Sequence, residues 1–196
     1  RADQLRGEAR ELAERFERDF WMEDEGCYAQ ALDARKEQVR AVTSSAGHAL
    51  WGGIADPDRA RRVAARLMQP DMFTGWGIRT LSGLYPTYNP MSYHNGSVWP
   101  HDTALVADGF ARYGLREEAT ALSEGLLEAA KRFPNGRLPE LFCGFARDLR
   151  FSSRPADYLA ACSPQAWSAG VVFLVLRTML GLSPDLARRR LVVDPA

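Results

Sequence analysis

Apolar residues recur at helical spacing along most of the chain, and the character of that spacing changes from segment to segment. Leu5, Ala9, Leu12, Phe16 and Phe20, with Arg and Glu between them, predict an amphipathic helix of about five turns. A short segment from Ala46 to Trp51 is rich in small residues, can be capped from Thr43-Ser44-Ser45, and is closed by Gly52-Gly53. Asp56-Pro57 is a cap followed by a first-turn proline, and Ala60, Val63, Ala64, Leu67 and Met68 share one face of the helix it opens. Pro100 begins a helix whose Ala104, Leu105, Ala107, Phe110 and Ala111 leave little polar surface, and Gly114 ends it. The next helix is amphipathic, with Ala119, Leu122, Leu126, Ala129 and Phe133 on its apolar side up to Pro134-Asn135-Gly136. Ser163-Pro164 offers another cap-plus-proline start, for a last helix apolar nearly all round that Gly181 and Pro184 stop. Cys27 to Leu32 and Leu191 to Val193 read as short strands.

The helices therefore alternate. Amphipathic ones begin near residues 3, 57 and 116, and nearly apolar ones near 45, 100 and 164. An all-apolar helix needs protein on every side, whereas an amphipathic one lies outside. The links alternate too: inner-to-outer links are tight, and outer-to-inner links each run roughly 20 to 30 residues, a length that usually signals function. All the long connections then reach the N-terminal ends of inner helices, on one common face. This pattern predicts an all-α fold of three helical hairpins from a two-layer α/α toroid. A plain helical solenoid is the alternative, but no fixed-period repeat is visible. The expected division is 1–182 for the toroid portion and 183–196 for a C-terminal tail. The chain opens directly into a helix without Met, and both ends read as cut from a longer protein.

Composition adds mainly exclusions. With 25 basic and 25 acidic residues among 196, nothing steers the chain toward nucleic acid or an anionic membrane. Cys27, Cys143 and Cys162 lack zinc spacing and are odd in number, so free thiols in a reducing cytoplasm are expected. The apolar run from Val171 to Leu176 is too short to span a bilayer. No phosphate loop, dinucleotide fingerprint or nucleophile elbow occurs.

The chemistry is concentrated in Met91-Ser92-Tyr93-His94-Asn95-Gly96-Ser97-Val98-Trp99-Pro100-His101-Asp102. So many aromatic and polar groups in one loop predict the wall of a polar-ligand pocket, with sugars the ligands that most need rings beside paired hydrogen-bonding groups. A rigid loop held by its own hydrogen bonds is the alternative. Glu140, in Leu138-Pro139-Glu140-Leu141-Phe142, is partly desolvated by its neighbours and is the candidate general base; capping a helix or pairing with Arg is its structural alternative. Asp102, in a first helical turn, suits either a structural or a ligand-binding role. His48, His94 and His101 lack metal-ligand spacing, so no metal is expected. Trp51, Trp76, Trp99 and Trp167 are all expected at the loop face as sugar platforms.

The run Tyr93 to Asp102, with Gly75-Trp76-Gly77-Ile78-Arg79-Thr80, Leu138 to Phe142 and Cys162-Ser163-Pro164-Gln165-Ala166-Trp167, resembles the C-terminal region of bacterial glycogen-debranching, amylo-α-1,6-glucosidase-like proteins. The resemblance covers about residues 3 to 182 and implies a glucoamylase-like (α/α)6 barrel, of which this chain would be half. It implies inverting hydrolysis of α-glucans, with Glu140 as base and the general acid outside the chain, before residue 1. It further implies a sugar site lined by Trp76, Arg79, Tyr93, His94, Asn95, Trp99, Asp102, Gln165 and Trp167, and no cofactor. Alternatives from other classes are a non-catalytic carbohydrate-binding module and a self-associating module that covers apolar half-barrel flanks as a homo-oligomer.

Overall fold

The computed structural model describes residues 1–195. Six helices follow the alternation: α1 (Ala2–Phe20), α2 (Ser45–Gly52), α3 (Pro57–Leu67), α4 (Pro100–Arg112), α5 (Arg116–Ala130) and α6 (Ala166–Met179). Three small antiparallel pairs accompany them: β1 (Trp21–Met22) with β2 (Cys27–Tyr28), β3 (Ala31–Leu32) with β4 (Gln38–Val39), and β5 (Leu182–Asp185) with β6 (Arg190–Val193). The last hairpin occupies most of the expected tail.

Local chemistry explains most boundaries. Gly53 takes φ 69° and closes α2 by donating to Ala49 and Leu50. The Asp56 carboxylate caps α3 by accepting from the amides of Asp58 and Arg59. The start of α6 differs from expectation. Ser163 does not cap it; the Gln165 side chain does, accepting from the Trp167 amide at 3.0 Å.

The inner layer is α2, α4 and α6, with α4 between the other two and α5 behind it. These inner helices run the same way. Near the start of α4, His48 meets Asp102 and His101 meets Trp167; near its end, Arg177 and Thr178 meet Asp108. The faces read from the sequence are the buried ones. Ala60, Val63, Ala64 and Leu67 of α3, and Ala119, Leu122 and Ala129 of α5, are fully buried. Together with Phe110, Tyr28, Leu50 and Ile78 they form two clusters, one under α2–α4 and one under α4–α6.

Two helices depart from the expected burial. No residue of α1 is buried; only its end packs, where Phe16 lies 4.6 Å from Tyr28, while Leu5 and Leu12 stay about half exposed. In α6 only Ser168, Val171, Val175 and Thr178 are buried. It touches α4, α5 and β5 and shows Val172, Phe173, Leu176 and Leu180 outward, because it stands at the edge of the layer.

The approach of α2 to α4 depends on Gly109. A Cβ there would lie 2.7 Å from the Trp51 amide nitrogen and 3.1 Å from the Gly47 carbonyl, and backbone cannot step aside. Gly109→Ala should therefore cost about 1–3 kcal/mol. Gly170→Ala, in α6 with nothing within 4 Å, should gain about 0.5–1 kcal/mol from helix propensity alone. Urea unfolding of the two variants checks the contrast.

Candidate functional site

The long connections preceding α2, α4 and α6 (residues 21–44, 68–99 and 131–165) are knitted together on the N-terminal side of the inner layer. Thr43 bridges Leu81, Arg79 bridges Val98, Val98 bridges Phe142, and Phe142 bridges Asp157. Val98 and Phe142 exchange both backbone hydrogen bonds, at 2.9 and 3.0 Å. Gly144 lets the second and third connections meet: a Cβ there would sit 1.7 Å from the Gly96 carbonyl oxygen.

Arg79, expected to hold a sugar hydroxyl, is instead 6% exposed and donates to the carbonyls of Gly144 and Pro70, both at 2.7 Å. It clamps the connections to each other. Trp76, expected as a platform, is 2% exposed, with the guanidiniums of Arg147 and Arg132 at 4.4 and 5.5 Å from its ring. Trp51 lies at the C-terminal end of α2, so the expected gathering of four tryptophans at one rim does not occur; Trp99 and Trp167 alone meet.

The other expected residues do converge. Glu140 is 8% exposed. Its Oε1 accepts from the Tyr93 hydroxyl at 2.6 Å and its Oε2 from the Cys162 amide at 3.3 Å, while its own amide donates to the Cys162 carbonyl at 2.9 Å. Ser168, in the first turn of α6, fixes the neighbouring Pro139 carbonyl at 2.7 Å. Among the described residues Glu140 makes no ion pair with an arginine, one of the two forms of its structural alternative. The Tyr93 phenol is pushed up to about 12, first by its bond to Glu140 and then by burial.

Around this carboxylate stands an aromatic wall. Tyr93 packs edge-on to Trp99 at 4.7 Å and to His94 at 4.6 Å, and lies 5.7 Å from Tyr158. His94 stacks parallel to Trp99 at 5.8 Å. Trp99 is 6% exposed and donates from Nε1 to the Tyr93 carbonyl and to Ser97 Oγ, so it supports the wall more than it offers a free face. The Tyr93 carbonyl also accepts from Ser97 Oγ at 2.7 Å. The stretch is thus a loop held by its own hydrogen bonds, and its rings form an aromatic wall beside Glu140. Asn95 is exposed beside it, and Gln165 spends its side-chain oxygen on the α6 cap.

At the start of α4, Asp102 Oδ1 bonds His48 Nε2 at 2.6 Å. His101 stacks on Trp167 at 4.0 Å and 10°, covering one face of that half-exposed ring. The bond to Asp102 raises His48 above the ordinary histidine value, while burial lowers His101. Sequence reasoning used these two histidines only to weigh a metal. No group of three His, Cys, Asp or Glu side chains among the described residues is arranged to hold one. Nor is any helix among them long and apolar enough to cross a membrane. A cavity of about 530 Å³ lies at the opposite end, lined by Asp108, Arg112, Arg116, Arg177 and Asp194, remote from Glu140.

Residues 1–145, which include the Tyr93–Asp102 stretch and Glu140, match the model of the mannosylglycerate hydrolase MGH1-like glycoside hydrolase domain. The chain belongs to this MGH1-like glycoside hydrolase family. A mannosylglycerate hydrolase from Rubrobacter radiotolerans is 26% identical over 127 residues, which are 63% of this chain and 29% of that protein. The MGH1-like chain thus spans under a third of that relative's length. Among solved structures, the GH63 mannosylglycerate hydrolase of Thermus thermophilus in complex with glucose superposes with TM-score 0.63 at 22% identity, over 80% of this chain and 34% of that one. Neutral trehalase of Saccharomyces cerevisiae superposes with TM-score 0.65 at 16% identity, over 90% and 30%. The fold is that of the (α/α)6 toroid glycosidases. The resemblance read from the sequence holds at the level of a six-hairpin glycosidase. Within that group the MGH1-like domain, not the debranching enzymes, is the match.

The histidine pair gives a pH test. Because folding raises His48, its extra stability is complete below the ordinary histidine value of about 6.5 and fades as pH climbs through the raised value. His101, lowered by burial, works the other way and favours unfolding as pH falls. His48→Gln removes the first contribution and, with it, the His48 charge that helps to lower His101. Its deficit against the unaltered protein in urea unfolding should be largest below about pH 6.5 and shrink as pH rises above it.

Proposed function

We propose that this domain supplies the base-bearing half of a glycosidase site, with Glu140 activating water, and that the substrate is a small α-linked mannosyl or glucosyl compound, mannosylglycerate first. The observation that carries this is the Glu140 carboxylate, buried yet without a counter-ion among the described residues and held by Tyr93 and the Cys162 amide beside an aromatic wall. A general base needs a fixed carboxylate within reach of water, and Tyr93 fixes one oxygen while steering the other. Family membership and the names of the relatives support the substrate class.

In an inverting mechanism a second carboxyl protonates the leaving oxygen from across the sugar, about 6.5–9.5 Å away. We assign that acid to a segment outside this chain. Tyr93, His94, Asn95, Trp99, Asp102 and Trp167 would surround the sugar, and Gln165 would position Trp167 through the helix cap. Trp76 and Arg79 would act from behind, as supports of the connections. The finer alternative, hydrolysis of α-1,6 branch linkages in glycogen, shares this chemistry. It differs in needing room for a branched polymer, and the similar proteins named above do not include a debranching enzyme.

The test is turnover by the full-length protein on mannosylglycerate and on a glycogen limit dextrin. Glucose release from the dextrin with no action on mannosylglycerate would favour the branch linkage. Glu140→Gln should abolish most turnover on the true substrate while leaving its binding intact; undiminished turnover would remove Glu140 from the mechanism. Tyr93→Phe should lower kcat about ten- to a hundredfold, by loosening the base, with a smaller change in KM.

A further inference from the structure

The first turn of α4 holds two buried polar atoms that no neighbour completes. Asp102 is 9% exposed; its Oδ1 is used by His48, but its Oδ2 has no hydrogen-bond partner among the described residues. The next residue back, His101, likewise has a buried Nδ1 with no partner. A buried carboxylate oxygen left unpaired is costly, and a packed interior rarely keeps two such atoms side by side without a reason. A purely structural pair between α2 and α4 would need neither.

Their surroundings are those of the sugar face. His101 is stacked on Trp167, whose ring is 47% exposed, and it senses the charges of both Asp102 and Glu140. Burial holds His101 toward its neutral form, in which one ring nitrogen donates and the other accepts. Asp102 holds His48 toward the charged form, which in turn fixes the carboxylate. An acceptor and a neutral donor–acceptor thus sit on adjacent residues, beside an aromatic stack. Neutral hydroxyls match that pair, because each can donate to a carboxylate and donate to or accept from an imidazole; an anionic group set directly against Asp102 would be repelled, so the pair suits the pyranose ring and not a carboxylate of the aglycone.

We propose that Asp102 and His101 together read ring hydroxyls of a neutral pyranoside that packs against the edge of the His101–Trp167 stack, with His48 as the positioning residue for Asp102. This rests on reading the face as a sugar site, and it adds both histidines to that site. His48 acts only through Asp102, so what it requires is an N–H aimed at Oδ1. Glutamine can provide that and leucine cannot.

The experiment is calorimetric binding of methyl α-mannopyranoside, methyl α-glucopyranoside and their monodeoxy analogues to the full-length protein. On the unaltered protein, affinity should fall about tenfold or more for deoxygenation at one or two ring positions and little at the others. Asp102→Asn and His101→Ala should each weaken the parent pyranoside by about tenfold or more. With Asp102→Asn, the deoxy analogue lacking the hydroxyl that is read should lose nothing further. His48→Leu should match Asp102→Asn, while His48→Gln keeps most affinity. No pyranoside binding, uniform affinity across the deoxy series, or variants within about twofold of the unaltered protein would overturn the proposal. The deoxy series needs no substitution, so a variant that fails to fold does not shield it. Binding without turnover would sink the hydrolase reading alone, and turnover with an unchanged KM in Asp102→Asn would sink this one alone.

Discussion

Close packing around α4 sets where the rest of the chain can go. It has α2 and α6 on either side and α5 behind, and it buries Pro100, Asp102, Thr103, Ala104, Val106, Ala107, Gly109 and Phe110. Gly109 brings the α2 backbone within direct contact, which no other residue type would allow. With its flanks filled, α4 leaves its first turn as the place where polar groups can gather. Trp99, His101 and Asp102 stand there, at the head of a helix that is buried along its length.

The parallel direction of the inner helices follows from the hairpin connections, and it has an electrostatic consequence. Three helix N-termini face the same side, each presenting the positive end of its dipole. Carboxylates belong on such a face, and Asp102 and Glu140 both lie there. Asp102 sits within the first turn of α4, and Glu140 is tied to the first turn of α6 through Pro139 and Ser168. The same geometry that makes the layer compact therefore brings both carboxylates to one side of it.

Holding those groups still falls to the connections. Arg79 spends its guanidinium on two carbonyls from different connections, and Gly144 allows the chain bearing Glu140 to lie against Gly96. Hydrogen bonds from a buried charged group contribute about 1.5–3 kcal/mol each, enough for Arg79 to decide how the connections sit. Arg79 and Trp76 brace the wall from its buried side.

Periodicity alone determined the helices, their inner or outer character and the common side of the long connections, because burial imposes a repeat that local spacing records. The residue types at Glu140 and in the ring-rich run from Tyr93 were also legible one at a time, and the structure brings them together. Partners did not. That Glu140 is held by Tyr93, that Gln165 and not Ser163 caps α6, that Trp76 is sealed between two arginines, and that His48 reaches Asp102 from another helix are contacts between residues far apart in the chain or settled by the path of a loop. No sequence spacing encodes them. The apolar outer side of α6 makes the same point: composition says a helix is apolar, but only its place in the layer decides which side is covered.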